Sequence, residues 1–260
     1  MALRSNKPEI LFEDNHIIVC VKPAGTPAQP DRTGAFDLTS QLLNHLAESS
    51  KNSAGAKGAN ARNQQPPYLA VVHRLDRPVG GVMVFAKTRQ AAAGLSRQVQ
   101  EHQMTKRYFC VLTGWQGEMT KEEDENAAQL WNPQVDYMVV DKRTNLSQVA
   151  TVGAKDAQKA ELRWRALETK EEAGCLVEVE LLTGRHHQIR LQMTQVAEGL
   201  WGDTKYNPAF AGKKGWFDLA LFSHELAFTH PITGKKMHFE AVPEGSVFGQ
   251  FSYIQRLRER

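Results

Sequence analysis

Five apolar residues follow one another without a break in Val82-Met83-Val84-Phe85-Ala86. A short run with no polar alternation reads as a strand covered on both faces, so it belongs in a core. The residues just before it are of the opposite kind. His73-Arg74-Leu75-Asp76-Arg77-Pro78-Val79-Gly80-Gly81 crowds two arginines, a histidine and one carboxylate into a loop ending in two glycines. Asp76 therefore sits where a charged loop enters a buried strand, beside Arg74 and Arg77. Nearby cations favour the ionised form of a carboxylate. That state suits a nucleophile or base better than an acid. The same residues would also serve a structural Asp–Arg pair closing a turn.

Strand-like runs predominate elsewhere, with a few helices between them. Residues 9–13 and 16–22 suit a hairpin about Asp14-Asn15. Residues 39–48 read as a short helix with Leu42, Leu43 and Leu46 inward. Thr88 can cap a helix running to about His102, with Ala92, Leu95 and Val99 on one stripe. Residues 107–113 alternate as a strand, with Tyr108, Cys110 and Leu112 on one face. Residues 176–182 form another strand. Gly184 marks a turn, and 187–199 read as a helix with Ile189, Met193 and Val196 inward. The late strands are 219–228 and 236–241, turning through 230–234. Such hairpin-like succession predicts an α+β fold with a largely antiparallel sheet. Residues 49–67 and 116–134 read as surface excursions. The first is poor in large apolar residues, and the second carries the charge cluster 121–125.

The chain has 260 residues, 41% of them hydrophobic, and a formal net charge of only +3. That content supports a globular core, and the charge permits nucleic-acid binding without requiring it. Cys20, Cys110 and Cys175 are odd in number and far apart, which argues against a disulfide framework and against a paired-cysteine metal site. Buried thiols in a reducing compartment are expected. The first eight residues lack the apolar core of a signal peptide. No run reaches the roughly 18 apolar residues of a membrane span. A cytoplasmic monomer is expected. The adjacent pair His186-His187 would point about 100° apart on a helix, and no His-Glu-x-x-His pattern occurs, so no metal site is expected. No P-loop or Gly-x-Gly-x-x-Gly pattern implies a nucleotide cofactor.

Three ordered blocks resemble a known family. The 73–77 block looks like the catalytic motif of RNA pseudouridine synthases of the RluA-type branch. Lys106-Arg107-Tyr108-Phe109-Cys110-Val111 resembles that family's tyrosine strand, and Leu182-Thr183-Gly184-Arg185-His186-His187-Gln188-Ile189-Arg190 resembles its Thr-Gly-Arg-x-His-Gln-Ile-Arg block. Weaker echoes are residues 10–14 and 21–25, and Gly202-Asp203-Thr204-Lys205-Tyr206. One departure is Val79-Gly80-Gly81 where the family has Thr-Ser-Gly, which removes two hydroxyls beside the loop.

The resemblance implies one catalytic domain over 9–245, with 1–8 and 246–260 as terminal extensions and no S4-type module before it. It implies a long mixed sheet with a central RNA-binding cleft. It implies that Asp76 acts on a flipped-out uridine, that Tyr108 is the pocket aromatic and that Arg190 is the partner of Asp76. Arg74 would assist flipping, and Arg77, Lys22, Lys106, Arg185 and Lys205 would meet RNA, with His73 supporting the loop. The substrate would be ribosomal or transfer RNA, and the reaction requires no cofactor. Two alternatives remain at this point. One is an RNA-binding protein of the same fold without catalysis. The other is a metal-independent hydrolase using Asp76 as base, for which no Gly-x-Ser-x-Gly nucleophile motif is present.

Overall fold

A computed structural model describes residues 8–31, 34–53, 66–117, 131–215 and 217–260. The chain folds into two compact units, Met1–Met104 with Phe228–Phe239, and Thr105–Ala227 with Glu240–Arg260.

The first unit is built on β1 (Glu9–Glu13), β2 (Ile17–Lys22), α1 (Leu38–Ser53), β3 (Ala70–Val71), β4 (Gly80–Ala86) and α2 (Arg89–Gln100). The β1–β2 turn closes as expected at Asp14, whose Oδ1 accepts the backbone N–H groups of His16 and Ile17 at 2.7 and 2.8 Å. β2 pairs antiparallel with β4 from Ile17↔Ala86 to Lys22↔Gly81. Ile17 to Cys20 and Val82 to Ala86 are wholly buried, as an unbroken apolar run demands. Gly81 takes φ 126°, a value that favours glycine, so the loop can enter the strand abruptly. Thr88 caps α2 by accepting from Ala91 N at 3.2 Å. The buried stripe of α2 is Ala91, Leu95 and Gln98, one position off the expected one except at Leu95. Gln98 turns inward because its amide bonds both backbone groups of Thr229.

The second unit is a sheet of β5 (Thr105–Thr113), β6 (Asn132–Asp141), β7 (Leu146–Ala150), β8 (Gln158–Lys170), β9 (Gly174–Leu181) and, up to Ala227, β11 (Leu221–Thr229), in the order β11-β5-β9-β8-β6-β7. α3 (Gln188–Gln192) and β10 (Gly199–Leu200) lie between β9 and β11, and β10 pairs with β5. β12 (Lys236–Glu240) and α4 (Ser252–Arg258) complete the chain. β5 pairs antiparallel with both β9 and β11. The expected α+β class with largely antiparallel pairing holds.

Three expectations are corrected. The helix expected over 187–199 is one turn of α3 followed by a 3-10 turn at Met193–Gln195. Thr194 Oγ1 donates to Leu191 O at 2.7 Å, and Gly199 is drawn into pairing with Thr113. α1 extends to Ser53 rather than stopping at 48. It starts at Asp37, whose carboxylate accepts from Ser40 N and Ser40 Oγ at 3.0 and 2.7 Å. The strands β6, β7 and β8 have no counterpart among the expected elements, and β6 begins inside the expected excursion 116–134. Most of that excursion and of 49–67 lies outside the described residues. Among the described residues no helix is long and apolar enough to cross a membrane.

Residues 246–260 build part of the core. Phe248, Phe251 and Ile254 pack with Phe109, Val111, Ala173, Leu176 and Ala220 in one buried cluster. Phe251 is fully buried. Phe251→Ala should therefore lower unfolding free energy by about 3–5 kcal/mol, the usual cost of truncating a buried phenylalanine. Urea denaturation checks this, and a loss under about 1 kcal/mol would mean the segment is dispensable.

Candidate active site

The loop carrying Asp76 is held from below and from within. Leu75 and Val79 are buried and anchor it, Asp76 is half-buried, and Arg74 and Arg77 are exposed. Val79 N donates to Asp76 O at 3.0 Å, closing a turn around the carboxylate. Val84 N donates to His73 Nε2 at 3.1 Å, so His73 supports the loop as expected and holds that nitrogen unprotonated. Arg77 donates from Nε to Gly25 O at 3.1 Å and lies 3.7 Å from the Asp31 carboxylate. Val79 stands where the family has a hydroxyl residue and is itself core, so packing replaces hydrogen bonding at that point.

Lys22, expected to meet RNA, is instead completely buried. Its ammonium donates to three carbonyls, Pro23 at 3.1 Å, Thr26 at 2.7 Å and Arg77 at 3.1 Å. All three protons are used, so no phosphate can reach them. Lys22 thereby ties the loop after β2 to the carbonyl just beyond Asp76. Desolvation drives its pKa down to about 7, against the opposing pull of the Asp76 carboxylate, while Arg77 adds to the depression.

Tyr108 lies on β5, paired with Val179 and Ser223, and is buried. Lys106 shares its face. A side chain at Gly184 would lie 3.7 Å from Lys106 Nζ, so the tyrosine strand and the 184 turn adjoin there. Burial lowers the Lys106 pKa. The opposite face of β5 carries an ionic lattice. Arg107 donates to Glu180 and Glu225 at 2.8 and 3.0 Å, Arg163 to Glu180 at 2.9 Å and Arg165 to Glu178 at 2.7 Å. The three guanidinium groups lie 4.8–5.6 Å from the Trp131 ring centroid. Glu178, His224 and Glu225 bring possible metal-ligand atoms within 4.8 Å of one another. These carboxylates already accept from Arg165 and Arg107, and His224 bonds Glu178 at 3.0 Å. Burial raises the Glu178 pKa, but His224 and Arg165 outweigh it and leave the carboxyl below its ordinary value.

The 183–190 segment is folded by its own side chains. Gln188 Oε1 accepts from Thr183 Oγ1 at 2.8 Å and from Arg185 N at 2.9 Å, drawing the turn tight. His187 takes φ 54° and opens α3. Arg190 is buried on α3, and within this unit its carboxylate partner is Asp203, through Nε at 2.8 Å and Nη2 at 2.6 Å. Asp203 lies in the 202–206 block but had no expected role. Its Oδ1 also accepts from Lys205 N and Tyr206 N at 2.9 and 3.2 Å. Tyr206 OH accepts from Ser147 N and so donates to His187 Nδ1, both at 2.7 Å. Burial, with Arg190, His186 and Lys205 near, pushes the His187 pKa down to about 2, so the ring is neutral.

Of the remaining expected RNA contacts, Arg185 is half-buried, with Nε on Lys159 O at 2.8 Å. Lys205 is exposed, with Nζ 3.3 Å from Asn145 O. Each expected site residue is thus placed within its own unit: Lys22, Arg74, Asp76 and Arg77 in the first, and Lys106, Tyr108, Arg185, Arg190 and Lys205 in the second.

Residues 16–195 match the family model described as RNA pseudouridylate synthase. The chain belongs to that family and is an RNA pseudouridine synthase. It is 30% identical over 239 residues to ribosomal large subunit pseudouridine synthase D of Zymomonas mobilis, covering 90% of this chain and 68% of the relative. It is 27% identical to tRNA pseudouridine synthase C of Vibrio parahaemolyticus, covering 96% and 97%. The fold is similar to that of human RNA pseudouridylate synthase domain containing 4, with TM-score 0.67 at 20% identity, covering 96% of this chain and 93% of that one.

The Lys22 environment predicts a pH dependence of stability. Between about 7 and the ordinary 10.5, the unfolded chain holds a proton here that the folded chain has released. Stability from this group therefore rises with pH across that window, by at most about 1.4 kcal/mol per pH unit. Lys22→Met lacks the group. Denaturant unfolding of both proteins at pH about 7 and about 10 should show the wild type gaining on the variant at the higher pH. Parallel curves would refute the assignment.

Proposed function

We propose that this protein isomerises specific uridines in structured ribosomal or transfer RNA, with Asp76 as the catalytic carboxylate and Tyr108 and Arg190 serving the same reaction. The match over residues 16–195 carries this reading, because it takes in all three residues. The reaction breaks the bond from C1′ to N1 of the uracil and forms one from C1′ to C5. The C5 proton leaves and N1 gains a proton, so no oxidant or net base is consumed. The two named relatives act on ribosomal and transfer RNA respectively, which supports a folded RNA target. A uridine must leave its stack to be reached, and RNA recognition of this kind relies on shape and flipped bases. Arg74, Arg77 and Lys205 are exposed cations suited to phosphates, with Arg185 and Lys106 as partly buried ones. We place the activity in the cytoplasm, in a monomer. Mapping pseudouridines in RNA from cells with and without the protein tests the function. Loss confined to unstructured messenger RNA would overturn it.

Asp76→Asn should keep fold and RNA binding while lowering turnover on the order of 10⁴-fold or more, as loss of an obligatory catalytic group does elsewhere. Single-turnover assays check this, and a rate near wild type would remove Asp76 from the chemistry. Tyr108→Ala should abolish turnover, and the phenylalanine variant separates two roles. A fall on the order of 10²–10⁴ assigns proton transfer to the hydroxyl, and near-normal activity assigns stacking. An active Ala variant would exclude Tyr108 from the site.

A further inference from the structure

We propose that the second unit carries a separate RNA subsite, a pocket that takes one nucleotide other than the reacting uridine. It rests on the functional reading above for the identity of its ligand as RNA. The pocket has a volume of about 330 Å³ and lies among β6, β7, the start of β8 and the 184–186 turn. That is the low end of the roughly 300–1,000 Å³ range of small-ligand sites, the scale of a single nucleotide.

Its chemistry is divided by side. Met138 and Val140 supply an apolar surface from β6. Met138 is buried against Leu191 and Tyr206, which makes it a fixed floor, and a thioether is a favourable neighbour for a flat ring. His186 forms a wall whose ring is stacked on His187 at 3.7 Å. Ser147 Oγ donates to His186 O at 2.6 Å, so its 3.0 Å contact with His186 Nδ1 takes that nitrogen's proton. The ring is held by two neighbours. Lys142 and Arg185 add two cations to the lining. The turn bearing Lys142 is set by Asp141, which accepts from Arg143 N and Thr144 Oγ1 at 2.8 and 2.9 Å. Arg185 is held in place through Nε on Lys159 O.

Two cations suit one phosphate. Asp156 also lines the pocket, and its carboxylate would repel that phosphate. This sets the orientation: phosphate toward Lys142 and Arg185, base edge toward Asp156. A carboxylate accepts hydrogen bonds only, so the base edge it meets is one that presents N–H donors. The pocket is joined to Arg190 through His186, His187 and Tyr206, by ring contacts of 3.7, 5.5 and 5.4 Å. A nucleotide seated here would set the register of the RNA and thereby which uridine is presented.

The test uses the full chain and two variants at exposed positions, Lys142→Glu and Val140→Trp, the second filling the pocket. Titration of bulk transfer RNA across a range of salt should show Lys142→Glu binding roughly tenfold more weakly, with the slope of log K against log salt reduced by about one. The RNA in which the wild type forms pseudouridine is then made with one abasic nucleotide at each position in turn. One position other than the reacting uridine should weaken wild-type binding by roughly tenfold, and Val140→Trp should be insensitive to it. Unchanged affinity and slope in Lys142→Glu, or an abasic effect that persists in full in Val140→Trp, would overturn the pocket. If the wild type forms no pseudouridine in ribosomal or transfer RNA, the functional reading fails by itself. The salt titration still decides the pocket in that case.

Discussion

A buried charge must be matched where it lies, and the Arg190–Asp203 pair is the match on which the order of the second unit depends. Both side chains are almost wholly hidden, and two parallel N–H···O bonds join them. Breaking such a pair from one side typically costs about 3–5 kcal/mol, because the other charge is stranded. Its structural reach is wider than the two residues. The same carboxylate gathers the backbone of Lys205 and Tyr206. That gathering aims the Tyr206 hydroxyl at His187 and Ser147. One ion pair therefore positions a helix turn, a tyrosine, a neutral histidine and the edge of β7.

The first unit meets the same constraint differently. Lys22 is as deeply buried as Arg190, but its partners are carbonyl dipoles rather than a carboxylate. A guanidinium keeps its proton under these conditions, whereas an ammonium can release one when desolvated. The charge beneath Asp76 is therefore titratable near neutrality, and the charge at Arg190 is fixed. The two also differ in what they hold. Lys22 fixes backbone on either side of a loop, which positions a carboxylate indirectly. Arg190 fixes side chains directly.

Local signals were largely legible in the sequence and non-local ones were not. The cap at Thr88, the turn at Asp14 and the buried run of β4 each depend on neighbouring residues, and each appears as expected. The loop of Asp76 and the strand of Tyr108 were legible because their motifs are contiguous. The burial of Lys22 was not, since it rests on carbonyls at 23, 26 and 77, and lysine is seldom hidden. Nor was the role of Asp203, thirteen residues beyond Arg190 and across a break in secondary structure. β8 reads Gln-Lys-Ala-Glu-Leu-Arg-Trp-Arg. Ala160, Leu162 and Trp164 alternate with charged residues, which is a local strand signal although no strand was expected there, and its arginines Arg163 and Arg165 are held by Glu180 and Glu178 on β9.

The same lattice explains why net charge says little about how this protein grips RNA. Arg107, Arg163 and Arg165 count toward the +3 total, yet each is bound to a buried glutamate behind the sheet. Cations neutralised at contact distance contribute little field beyond a Debye length of about 8 Å. Arg107 is adjacent to Tyr108 in sequence, but strand alternation sends it to the opposite face. The basic pair before the tyrosine is thus split, with Lys106 on the tyrosine's side and Arg107 serving the lattice. Exposed cations near the expected site residues include Arg74 and Arg77 on the Asp76 loop, and Lys142 and Lys205 near the β6–β7 turn. A few cations set on rigid turns give register rather than broad attraction, and register is what selecting one uridine requires.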